Sequence, residues 1–78
     1  METPQVAFKE ALEEAMHICP VNRQADRTTQ ATLQEALNYL EKGDTWHASL
    51  AARTAARYRK GWVWDAVRDL ADKVKKPS

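Results

Sequence analysis

Apolar side chains recur along this chain at steps of three and four rather than two, so the stripes they draw are helical. Phe8, Leu12, Ala15, Met16 and Cys19 share one face of a first segment, with Ala11 and Ile18 on its flank. Glu10, Glu13, Glu14 and His17 lie opposite. Thr3-Pro4 supplies an N-cap hydroxyl followed by proline at the first helical position, where its missing N–H costs nothing. Pro20 drives the residue before it out of helical backbone. The first helix is therefore predicted near 4–19.

A second stripe of Thr29, Leu33, Ala36, Leu37 and Leu40 predicts a helix over 28–42, with residues 20–27 as a connector or weak early turn. Gly43 offers the left-handed stop, and Asp44 or Thr45 caps the next segment. A third helix is expected over 45–60, with Trp46, Leu50, Ala51, Thr54 and Tyr58 as its apolar side. Val63, Ala66, Val67, Leu70 and Val74 mark a fourth over 62–75. Gly61 leaves two options, a break between the last two helices or a kink in one, since a helical glycine costs about 1 kcal/mol relative to alanine. No strand pattern, internal repeat or low-complexity stretch interrupts this reading. The expected fold is all-α, a single domain over 1–78 of three or four bundled helices, with 76–78 as a frayed tail.

Composition sharpens the picture. Of the 78 residues 44% are apolar, and 13 of these are alanine, which leaves few large side chains for a core. A chain this short excludes a two-domain enzyme or a doubly wound nucleotide fold. The net charge of +1 hides an asymmetry. Residues 1–44 hold four Lys/Arg against eight Asp/Glu, and residues 45–78 hold eight against three. Either the halves neutralise each other in the fold, or the second half offers a basic face to an acidic partner. The lone Cys19 excludes an internal disulfide, and neither a signal-peptide core nor a membrane-length apolar run is visible. A cytoplasmic location is the expectation.

No catalytic constellation is drawn by these residues. Ser49 and Ser78 are the only serines, there is no glycine-rich phosphate loop, and His17, Cys19 and His47 lack the spacing of a metal site. Neither enzymatic activity nor a cofactor nor a metal is expected. His17 is expected on a wet face beside Glu13 and Glu14, and His47 near a helix cap. Tyr39-Leu40-Glu41-Lys42-Gly43-Asp44, with Ala48 and Ala55, looks like the middle of a tetratricopeptide unit. Residues 32–40 look like the first helix of some helix-turn-helix DNA binders, but the segment that follows opens Thr45-Trp46-His47-Ala48, unlike a base-reading helix. Each resemblance covers under half the chain, and neither family is assigned.

The tryptophans carry more information. Trp62 and Trp64 are two apart and so point about 200° apart on a helix. One neighbouring helix cannot cover both. Trp64, with Val67 and Ala71 beside it, is the better core candidate. Trp62 faces Asp69 and Lys73, with Tyr58 as its only shelter; either both indoles are clamped between helices or one is an interface anchor. A separate seam of Trp46, Leu50, Arg53 and Arg57 follows 4-3-4 spacing, with Ser49, Ala56 and Lys60 beside it, and an arginine stem over the Trp46 indole would suit it.

The expected function is protein binding by an adaptor, a regulator or a small inhibitor that occludes a site on a larger protein with an acidic surface. Inhibitors encoded by phages or mobile elements against host defence machinery have this general character, which is an expectation from size and not from a motif. The candidate partner-binding residues are Trp46, Arg53, Arg57, Tyr58, Lys60 and Trp62, with Glu10, Glu13 and Glu14 as an acidic surface. The alternatives are a nucleic-acid-binding regulator using the Arg/Lys face of residues 49–60, and a structural homodimer.

Overall fold

The computed structural model describes residues 3–75 as an all-α bundle. Helix α1 spans Pro4–Ile18, α2 Gln24–Glu41, α3 Thr45–Ala56 and α4 Trp62–Lys75. The tail expected at 76–78 lies outside the described residues. Each helix packs on its neighbour in sequence and α4 closes onto α1, so the four form a ring around one core. No helix is long and apolar enough to cross a membrane.

Local chemistry sets most of the boundaries. The Thr3 hydroxyl accepts from the Val6 N–H at 3.2 Å, and Pro4 opens α1. Cys19, forced out of the helix by Pro20, is extended at φ −70 and ψ 124. The carbonyls freed there are taken up from α2, where Gln30 Nε2 donates to Met16 O at 2.7 Å and to Cys19 O at 3.1 Å. Gly43 turns the chain at φ +82, and the Asp44 carboxylate caps α3 by accepting from the His47 N–H at 3.1 Å.

Two boundaries differ from the sequence expectation. α2 starts at Gln24 rather than 28, because Asp26 in its first turn accepts from the Arg23 N–H at 3.3 Å and caps the helix there. α3 ends at Ala56 rather than 60, and Gly61 is a break. Its φ of +129 is a backbone conformation that side chains resist.

The larger correction concerns which side of α3 is buried. Ala48, Ser49, Ala52, Ala55 and Ala56 face inward, while Trp46, Leu50, Thr54 and Tyr58 are exposed and Ala51 is half-buried. α3 packs on both α2 and α4, and a face of small residues lets two helices approach closely at once. Ser49 is tolerated inside because its hydroxyl donates to Trp46 O at 2.9 Å. The larger core residues come from the other helices: Phe8 and Leu12 from α1, Leu33 and Leu37 from α2, Val63, Trp64, Val67 and Val74 from α4. Alanine therefore fills the core where α3 is squeezed, and the bulky residues fill it elsewhere.

Candidate functional site

The connection between α3 and α4 holds one arginine that points inward, Arg59, and several side chains that point out. Arg59 Nη2 reaches Asp26 Oδ1 at 2.8 Å and Thr29 Oγ1 at 3.1 Å, both on α2. The same guanidinium lies 5.7 Å from the centre of the Trp64 ring. Asp26 is buried, so this ion pair is screened far less than one in water. The Arg59 hydrogen bond holds the Asp26 carboxyl below the usual aspartate range, against the desolvation that pushes it up. Among the described residues no buried side-chain nitrogen or oxygen lacks a hydrogen-bond partner.

Arg68 fastens the loop from the other side. Its Nη1 donates to Ala56 O at 2.5 Å and to Arg59 O at 2.9 Å, satisfying carbonyls that the end of α3 leaves open. Its Nη2 pairs with Asp65 one turn earlier on α4. The segment 57–61 is thus tied to α2 through Arg59 and to α4 through Arg68.

What this segment shows to solvent is aromatic and basic. Tyr58 is 86% exposed and Trp62 is 77% exposed, whereas Trp64, two residues on, is 5% exposed. The 200° separation of the indoles has its consequence here: one enters the core and the other stays outside. Of the two arrangements open to the indoles, clamping of both between helices is excluded, and Tyr58 does not shelter Trp62. Arg57 lies over the Tyr58 ring at 5.5 Å, and Lys60 is exposed beside them.

The seam of Trp46, Leu50, Arg53 and Arg57 runs up the solvent side of α3. Trp46 is 51% exposed and meets Lys75 from the end of α4, with the ammonium 5.7 Å from the ring centre, rather than an arginine of its own helix. Arg53 pairs with Asp72 across the α3–α4 junction at 3.1 Å. Leu50, Arg53, Thr54, Arg57 and Arg68 line an open cleft of about 320 Å³. Ser49 and Ala56, expected beside this seam, are in the core instead; small residues must face α2 and α4, not a partner.

Glu10, Glu13 and Glu14 are exposed on α1. The α3–α4 junction is built from other helices, so the two sets of sequence candidates do not form one site. The two charged halves meet in the buried Asp26–Arg59 pair, but Arg53–Asp72, Arg68–Asp65 and Lys73–Asp69 all join residues of the basic half. His47 is exposed, as expected, with Nδ1 2.6 Å from Asp44 Oδ2 and its ring stacked on Tyr39. His17 is exposed too. No group of three or more His, Cys, Asp or Glu residues that could hold a metal ion occurs among the described residues.

Arg59, Arg68 and Asp26 escaped the sequence reading. Arg59 sits inside the run Arg57-Tyr58-Arg59-Lys60, where nothing distinguishes an inward arginine from an outward one. Asp26 carried a usable signal, an acid three residues after Arg23 at a helix start. No protein-family model matches this chain, and no curated protein or solved structure matches it either.

Proposed function

We propose that this protein is a non-enzymatic binding module whose docking surface is the α3–α4 edge, centred on Tyr58 and Trp62. The observation that carries this reading is the pairing of two exposed aromatics with a loop held on both sides by arginine. Burying a large apolar side chain is worth about 1.5–3 kcal/mol, which an exposed one forgoes. A bound partner recovers that energy. Tyrosine, tryptophan and arginine are the residues that dominate interface energetics, and a loop already fixed loses little entropy on binding.

An ordinary interface takes about 800 Å² from each partner, a modest share of the 5260 Å² this chain exposes. The partner in this reading is a larger protein, and the mode of action is occupation of one of its sites, as an adaptor, a regulator or an occluding inhibitor. The unpaired, buried Cys19 suits a reducing, cytoplasmic setting.

Affinity capture with the wild-type chain and with Tyr58→Ala/Trp62→Ala tests the proposal, with thermal melts run in parallel. The expected result is a set of proteins retained by the wild type and lost from the double variant at similar stability. Equal retention by both overturns it. If light scattering shows the wild type to be a dimer and the double variant a monomer, the surface serves a second copy instead.

A further inference from the structure

The cleft between α3 and α4 has a chemistry more specific than a basic patch. Three guanidinium-bearing residues line it, and they are not equivalent. Arg53 is engaged by Asp72 and Arg68 by Asp65 and two backbone carbonyls. Arg57 has its ring contact with Tyr58, and among the described residues no carboxylate pairs with it. Among the described residues, no ion pair neutralises its charge, and it lines the cleft. Leu50, 42% exposed, supplies an apolar wall, and Thr54 also lines the cleft.

We propose that this cleft seats an acidic side chain of a partner protein, an aspartate or glutamate, with an apolar neighbour of that residue lying on Leu50. The inference rests on the reading of this edge as a protein-binding surface and adds the chemistry of what enters it. Charge complementarity favours a carboxylate: it completes the coordination of Arg57, and a guanidinium accepts a carboxylate in bidentate fashion. The surroundings disfavour a polyphosphate chain. Asp65 and Asp72, each exposed on α4, are paired to the other two arginines of the cleft. Two of the three cations are thus already neutralised by carboxylates, whereas nucleic-acid affinity is built on several phosphates neutralised together.

The test is selection of a displayed random-peptide library on the full chain. Selected peptides are then titrated against the wild type, Arg57→Glu, Arg57→Gln and Tyr58→Ala/Trp62→Ala, each checked for an unchanged thermal melt. The expected result is a consensus pairing Asp or Glu with an adjacent apolar residue. Its affinity falls about tenfold or more in Arg57→Glu, where like charges face each other, and less in Arg57→Gln. A consensus without an acid, or one bound equally by Arg57→Glu, overturns the cleft assignment. If that consensus still needs Tyr58 and Trp62, the broader docking surface stands. An acidic consensus lost in Arg57→Glu but indifferent to the aromatic pair upholds the cleft and overturns the aromatic centre. Peptides insensitive to every variant overturn both. An oligonucleotide that displaces the peptide at physiological salt and depends on Arg57 overturns the proposal in favour of nucleic acid.

Discussion

Arg59 and Asp26 are 33 residues apart in sequence and 2.8 Å apart in space, and their ion pair holds the α3–α4 loop against the start of α2. The carboxylate is buried and the guanidinium also lies over the Trp64 ring. Removing Arg59 strands an acid in the interior, which costs far more than an exposed pair is worth. Arg59→Met, which keeps some packing against Trp64, should lower the melting temperature more than loss of any surface ion pair such as Arg53–Asp72. It should also raise amide hydrogen exchange across 57–62. A loop that exchanges no faster in the variant would show that Arg59 does not hold it.

Acid should weaken the fold through the same carboxylate. Asp26 is held below its ordinary range chiefly by Arg59, and Asp44 below its own chiefly by the His47 N–H. Both have folded values under their unfolded ones, so the unfolded chain binds more protons in acid. Their support is complete above about pH 4, the unfolded aspartate value, and is lost as pH falls toward the folded values. Urea midpoints measured down a pH series should decline below that point. Asp26→Asn should be less stable at neutral pH and show a shallower decline.

The identity of the buried face of α3 separates two substitutions sharply. Ala52→Leu inserts a bulky side chain between α3 and its neighbours and should cost about 1–3 kcal/mol. Trp46→Ala, on the solvent side, should change stability by no more than about 1 kcal/mol, the scale of its contact with Lys75. Chemical denaturation of both decides it, and the reverse order would place the larger residues of α3 in the core after all.

Gly61 carries a conformational constraint with little crowding. A side chain there would meet only Trp64 Cδ1, at an ordinary 3.7 Å, while φ stays at +129. Gly61→Ala should therefore cost about 1–3 kcal/mol through backbone strain and should not disturb Trp64 packing. A large change in the near-ultraviolet signal of that indole would point to steric displacement instead.

Cys19 opens the α1–α2 connection with its side chain buried, and burial pushes its thiol up from the ordinary value. Reaction with iodoacetamide in native buffer should be slow and should accelerate on unfolding. Fast labelling of the folded protein would show that this connection opens readily.

Much of this fold is legible in the sequence because its signals are local. Thr3-Pro4, Pro20 and Gly43 each fix a boundary through the backbone of the residue itself or its immediate neighbour. The opposed directions of Trp62 and Trp64 follow from helical spacing alone, but whether a neighbouring helix covers the second indole does not. The buried face of α3 is not local: its large residues draw a stripe, but two flanking helices decide which side fits, and they select alanine. The Arg59–Asp26 pair joins positions with no pattern between them. Tyr58 and Trp62 are candidates from the sequence alone, whereas Arg59 and Arg68, which hold their loop, have no signal there.

The proposed docking surface comprises residues 57–62 and the adjoining cleft. Amide hydrogen exchange of the chain, free and in the captured complex, tests it most directly. The account predicts new protection concentrated at 50–62, with the acidic face of α1 around Glu13 and Glu14 unchanged. Protection on α1 with none at 57–62 would contradict it.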